Sequence, residues 1–275
     1  MSDSPNSDTS LTRIADALER LSPPPSASIS ASEAAYVWDG KQLGLIEPFA
    51  PLPLALLSGI EAQRDALVGN CRRHALGQAA HDVLLWGARG GGKSALVKSV
   101  VAALQGEGLD LAFVEVPVRL IDTLPALFAT IRDWRRPVIV FIDDLAFEGG
   151  DDAARTLRSV LEGGAAARPA HVRLCVTSNR RHIVARSMDE QDSAINPRDV
   201  VDDRLALADR FGLSLGFHVC DQAQYLAMVA GYAAHLGLAF DEQDALTWST
   251  QRGARSGRVA WHYAVELAGR AGKTL

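Results

Sequence analysis

From residue 60 to residue 219, apolar and polar positions follow two rhythms in turn. Ile60–Ala75 has apolar residues at helical spacing, "DVLLWG" (82–87) is a short unbroken apolar run, and Lys93–Leu104 returns to helical spacing. The exchange then repeats. "LDLAFVEVPV" (109–118) predicts a strand, Leu124–Trp134 a helix and "PVIVFIDD" (137–144) a strand. Asp151–Leu161 predicts a helix with an acidic cap and Gly163-Gly164 behind it. "HVRLCVTSN" (171–179) and "FGLSLGFHV" (211–219) add two more strands. Five such strands alternating with helices predict a parallel sheet covered on both faces. Beyond Asp221 the strand rhythm stops. Helical patterns near 222–235, 242–251 and 257–270 predict a small all-helical second domain.

The first third is less regular. Residues 1–9 are Ser, Asp, Asn, Pro and little else, and predict disorder. "LTRIADALERL" (11–21) puts Leu11, Ile14, Leu18 and Leu21 on one helical face, with Ser10 as N-cap. It reads either as an amphipathic tail or as a docking helix for a partner or a second subunit. "SPPPSAS" stops that helix. "IEPFAPLPLALLSG" (46–59) reads as a packed, proline-rich linker.

Composition narrows the picture. The 275 residues are 48% hydrophobic and 22% charged, with a net charge of −5, which is a soluble globular balance. The acidity gives no support to a protein that coats nucleic acid, although the run "NRRHIVAR" (179–186) leaves room for a local phosphate contact. The polar, acid-rich stretch 187–203 after it reads as a loop. Cys71, Cys175 and Cys220 form no CxxC pair, so neither a disulfide framework nor a zinc site is expected, and the expected compartment is the reducing cytoplasm. The N-terminus lacks the basic n-region of a secretory signal, and apolar runs such as Val138–Ile142 are far short of a membrane span. His171, His182, His218, His235 and His262 are scattered over different elements and predict no metal cluster.

Two motifs bear chemistry. "GARGGGKS" fits G-x-x-x-x-G-K-[ST] at Gly87, Gly92, Lys93 and Ser94, between an apolar strand and an apolar helix. The glycines let main-chain amides wrap a polyphosphate, the helix start favours the anion, Lys93 reaches the β- and γ-phosphates, and Ser94 offers its hydroxyl to Mg²⁺. "VIVFIDD" ends a buried strand in Asp143 and Asp144. A carboxylate at a strand tip is unfavourable unless a cation faces it, and Mg²⁺ at Asp143 supplies that cation. Without the phosphate loop the same pair would read as a helix cap or loop start.

With both motifs in place, the chain resembles an AAA+ P-loop ATPase, closest to a group of bacterial predicted ATPases of unassigned cellular role. The resemblance runs from about residue 36 to the C-terminus and rests on "VLLWGARGGGKSALVKS", "FIDDLAFEGGD", "LEGGAAARP", "VTSNRRHIV", "LADRFGLSLGF" and "RSGRVA". It implies a tail at 1–35, a nucleotide-binding α/β core with its linker at 36–220 and a helical lid at 221–275. It also implies a strand order bracketing the phosphate loop between the first and third core strands. Nucleotide contacts then fall on Gly87, Ala88, Arg89, Gly90, Gly91, Gly92, Lys93, Ser94 and Ala95, and Mg²⁺ on Ser94 and Asp143. Lys93, Asp143, Asp144, Asn179 and Arg210 are the catalytic set. Asn179 resembles sensor 1. Arg210 resembles an arginine finger given in trans within a homo-oligomer, although a surface salt bridge with Asp209 or Asp203 explains it equally well. Arg258 resembles sensor 2, with Arg255 as competitor. Tyr36 and Trp38 either pack under the nucleotide base or belong to the core.

The chain also departs from the superfamily. Asp143-Asp144 replaces the usual Asp-Glu, which puts the rate of hydrolysis in question, with Glu148 as a substitute acid. "VRLIDTLP" (118–125) lacks the aromatic residue of a threading pore loop. Three functions follow. The first is a Mg²⁺-dependent ATPase acting on an unknown protein partner. The second is a slow nucleotide-gated adaptor or loader, with a DNA-associated partner as one form. The third is a small-molecule kinase.

Overall fold

The computed structural model describes residues 30–145, 152–162, 168–179 and 208–274, together with Arg13. Its strands are β1 (Ala35–Trp38), β2 (Leu43–Leu45), β3 (Val83–Gly87), β4 (Ala112–Glu115), β5 (Val138–Ile142), β6 (Val172–Ser178) and β7 (Leu213–Phe217). Its helices are α1 (Glu61–Ala75), α2 (Lys93–Gly106), α3 (Leu124–Thr130), α4 (Asp152–Leu161), α5 (Gln222–His235), α6 (Glu242–Gln251) and α7 (Gly257–Arg270).

The five strands expected from the apolar runs are all present, parallel, in the order β4-β5-β6-β3-β7. The loop-bearing strand β3 and the acid-bearing strand β5 are not neighbours, because β6 lies between them and β7 flanks β3 on its other side. All five side chains of β5 are buried, which requires helices over both faces and stabilises the sheet by roughly 1.5–3 kcal/mol per large side chain.

Two further strands extend the sheet beyond the expected five. β1 runs parallel to β4, and β2 folds back antiparallel on β1. Asp39 Oδ1 makes the turn between them by accepting from the Lys41 and Gln42 amides, both at 2.8 Å, while Gly40 takes φ +104°. This corrects one of the two readings of Tyr36 and Trp38. Both are fully buried in β1, with three strands between it and β3, four strand spacings or about 19 Å. They belong to the core: Tyr36 packs on Trp134, and Trp38 donates to Thr123 Oγ1 at 2.7 Å. Helix α3 is shorter than the pattern predicts, ending at Thr130.

The proline-rich stretch 46–59 is packed, as expected. Phe49 stacks on Phe113 at 5.1 Å, and the Leu52 carbonyl accepts from Ser99 at 2.6 Å. Ile46, Phe49 and Leu54 pack on the sheet cluster, while Leu52 and Leu56 pack on the C-terminal helical cluster. That second cluster is built by Tyr225, Val229, Ala260, Tyr263 and Ala264. Its helices start at side-chain caps: Asp221 accepts from the Gln224 amide, Asp241 from Asp244 and Ser256 from Val259. No helix among the described residues is long and apolar enough to cross a membrane.

His74 closes α1 against the start of β5, donating from Nε2 to the Val138 carbonyl at 3.1 Å. Burial lowers its pKa from 6.5 to about 4. As pH falls, the unfolded chain takes the proton before the folded one does. The stability this provides is complete above pH 6.5, shrinks between 6.5 and about 4, and levels off below, with a total of about 3 kcal/mol. Urea midpoints measured across that window should fall accordingly. In a His74→Gln protein, which retains a donor but does not titrate, that part of the slope should be missing.

Candidate functional site

Gly87 ends β3, Ile142 ends β5 and Ser178 ends β6, and the parallel register carries the residues that follow to one edge of the sheet. Ligands of open α/β sheets bind at such carboxyl ends. The loop from Gly87 to Gly92 leads into α2. A Cβ on Gly87 would lie 2.1 Å from the Phe217 carbonyl oxygen, and one on Gly90 would lie 2.7 Å from Ser256 Oγ. Only glycine fits either place. The Ala88 amide donates to Phe217 O at 3.1 Å and ties the loop to β7. Helix α2 then begins at Lys93, with the free N–H groups of its first turn at the loop.

Lys93 is nearly buried. Its ammonium donates to Gly87 O (3.0 Å), Ala88 O (2.8 Å) and Asn179 Oδ1 (2.9 Å). Burial lowers its pKa. Asp143 and Asp144 oppose that shift, and Arg258 and Arg89 add to it. Three cations thus stand close to two carboxylates, a surplus of positive charge suited to a polyphosphate.

The acids are held by side chains from both flanking elements. Ser94 Oγ donates to Asp143 Oδ1 at 2.5 Å, and Thr177 Oγ1 donates to the same oxygen at 2.6 Å. The Asp144 amide donates to Thr177 Oγ1 at 2.8 Å, and Asn179 Nδ2 donates to Asp144 Oδ1. Asp144 sits at φ +60°, and no other non-glycine residue among those described has a positive φ. A hydroxyl and a carboxylate oxygen this close, beside a loop with no room for a Cβ at Gly87 or Gly90, form the hard-oxygen donor set that Mg²⁺ takes alongside phosphate.

Gly90, Gly91, Gly92, Lys93, Ser94, Ala95, Asp143, Asp144, Asn179 and Arg258 line one cavity of about 250 Å³. Tyr232 and Trp261 of the C-terminal helices share that lining. Ala88 and Arg89 line a neighbouring cavity of about 830 Å³ together with Gly59, Ile60, Met228 and Arg255. Gly91, Asn179 and Gly257 line both. Of the two candidate lid arginines, Arg258 therefore shares a cavity with Lys93, and Arg255 lines the cavity next to it. Arg210 lines neither cavity and pairs with Glu162, while Asp203 lies outside the described residues. Glu148, the basic run past Asn179, the loop 187–203 and, apart from Arg13, the segment 11–21 lie outside the described residues.

Two residues escaped the motif reading. Ser256 caps α7 and meets Gly90. It was visible as a Ser-Gly helix start in "RSGRVA". Thr177 gives no comparable signal, because its partners lie 33 and 34 positions away, just past the end of another strand.

A mostly parallel sheet whose glycine-loop strand lies between β6 and β7, two strand-tip acids and a capped helical C-terminus define an AAA+ P-loop fold. Residues 31–271 match the family described as "Protein of unknown function (DUF815)", and the chain belongs to that family. No match to a curated protein was found. Solved structures confirm the fold. RuvB of Thermotoga maritima, a Holliday junction branch migration motor, is 16% identical with a TM-score of 0.52, over 82% of this chain and 68% of that one. Orc1 of Aeropyrum pernix, solved in complex with DNA, is 16% identical with a TM-score of 0.56, over 82% and 66%. Hsp104 in a closed state with ATPγS and FITC casein is 17% identical with a TM-score of 0.50, over 78% and 38%.

Proposed function

We propose that this chain is a Mg²⁺-dependent ATPase that couples nucleotide binding and hydrolysis to conformational change or assembly on a protein partner. The observation that supports it most is the convergence of Lys93, the Ser94–Asp143 pair and the Asp144–Asn179 pair on one cavity. In this reading the loop from Gly87 to Ala95 wraps the triphosphate, Lys93 and Arg258 balance its charge, and the 830 Å³ cavity takes the base between core and lid. Ser94 and Asp143 hold Mg²⁺, which when bound neutralises phosphate oxygens. Asp144 accepts the proton of the attacking water while the Asn179 amide orients that water, with Glu148 as the alternative acid. The helices of 221–275 act as a lid. Arg210 reaches the γ-phosphate of a neighbouring copy, exchanging Glu162 for it. The setting is cytoplasmic.

Hydrolysis measured against protein concentration tests this. Specific activity should rise with concentration, and in Arg210→Ala protein the rise should vanish while ATP still binds. Phosphate should appear with ADP in equal amounts. Phosphoryl transfer to a metabolite instead of water would point to the kinase reading and overturn this one.

One observation favours a second reading, a slow nucleotide-gated adaptor or loader. Asp144 is a methylene shorter than the usual glutamate and is already bonded to Asn179. The stretch 118–125 forms a 3₁₀ turn leading into α3 and has no aromatic residue, which gives threading no support. The likeness to RuvB and to Orc1 brings a DNA-associated partner into this reading, although the net charge of −5 gives none. Fast basal turnover unaffected by any partner would count against it.

A further inference from the structure

Thr177 is fully enclosed, 1% exposed, near the carboxyl end of β6. Its hydroxyl has one proton and two close partners. A backbone N–H only donates and a carboxylate only accepts, so the roles are settled by chemistry. The proton goes to Asp143 Oδ1 at 2.6 Å, and a lone pair takes the Asp144 amide at 2.8 Å. The Thr177 carbonyl then takes the next amide, that of Leu145, also at 2.8 Å. One residue therefore grips three consecutive positions of the acid-bearing corner.

That corner needs gripping. Asp144 is held at φ +60°, a conformation disfavoured for any residue with a Cβ, and such strain persists where the surroundings over-determine it. The amide leading into that strained residue is the one Thr177 accepts. The result aims the Asp144 carboxylate at Asn179 Nδ2, and the bond to Asp143 fixes the oxygen that Ser94 also contacts. Register makes this possible: Thr177 pairs with Leu85 of β3, in the strand that separates the phosphate loop from the acids.

We infer that Thr177 is a positioning residue, whose hydroxyl sets Asp143 for Mg²⁺ and Asp144 for the water. This rests on the ATPase reading above. The test compares the full-length wild-type protein with Thr177→Val, which keeps the shape and loses the hydroxyl, and Thr177→Ser, which keeps the hydroxyl. ATP affinity is read with and without Mg²⁺, and turnover separately. Losing a hydrogen bond to a charged group predicts that Thr177→Val loses about tenfold or more of the affinity gain that Mg²⁺ confers, and a similar factor in turnover. Its Mg²⁺-free affinity should match wild type, which also reports a folded site. Thr177→Ser should restore both quantities to within about threefold.

Equal Mg²⁺ dependence in wild type and Thr177→Val would overturn the inference, as would a Thr177→Ser protein impaired like the valine. A wild type that neither binds nor hydrolyses Mg·ATP would instead sink the ATPase reading. A further measurement uses the wild type alone. The Asp144 amide should exchange slowly with deuterated solvent although its residue is exposed, and fast exchange would show that the hydroxyl does not hold it.

Discussion

Replacing Lys93 by alanine should weaken Mg·ATP binding at least about 100-fold and take turnover below detection, with the fold intact. The size follows from what the ammonium does. It is nearly buried, and its three donors already point at the two loop carbonyls and the Asn179 amide oxygen. A phosphate oxygen in the same cradle would take over charge-assisted bonds worth about 1.5–3 kcal/mol each, and two decades of affinity correspond to about 2.7 kcal/mol. Losing one charge aimed at the transition state lowers turnover by roughly another 10²–10³. The cavity can admit water to the two carbonyls, so little stability should be lost. Arginine is no conservative test, because its planar fork does not fit a space closed by Gly87 O and Ala88 O. Titration calorimetry with Mg·ATP, beside circular dichroism of the same sample, checks this. Native affinity in the alanine protein would remove the cradle from consideration.

The parts of this site legible in the sequence were those with a local pattern. The helices of 222–235, 242–251 and 257–270 match the structure to the residue, because Asp221, Asp241 and Ser256 cap them and caps are local. Strand centres were equally clear, but their ends were overdrawn. The run 109–118 shrinks to Ala112–Glu115, since Leu111 and Val116 are as buried as the residues of the strand, and burial alone does not mark a strand's ends. The hairpin β1–β2 was missed although "WDGKQL" holds an Asp-Gly turn between apolar residues, the strongest short-range sign of one. Its strands are only four and three residues long, too short for a periodic signal. The site divides in the same way. The loop and the acids are contiguous motifs. Their coupling through Thr177, and the bond from Lys93 to a residue 86 positions later, depend on which strand lies between them. Periodicity does not record strand order.

The second large effect separates binding from chemistry. An Asp144→Asn protein should bind Mg·ATP within about threefold of wild type and hydrolyse it at least about 100-fold more slowly, the usual loss when a general base is removed. Asparagine suits the position, because it tolerates φ +60° as readily as aspartate does. Its side-chain oxygen still accepts from Asn179 Nδ2, and its main-chain amide still donates to Thr177. Asp143, Ser94 and Lys93 keep their contacts, so the grip on nucleotide is untouched. What disappears is the proton acceptor. Single-turnover hydrolysis with radiolabelled ATP measures the slow step without interference from product release. Turnover near the native rate would transfer the acid's role from Asp144 to another group, with Glu148 first in line. If turnover falls as expected, the same protein held in ATP becomes a trap: whatever copy number and partner the ATP state selects should co-purify with it from native lysate, because the step that would release them no longer occurs.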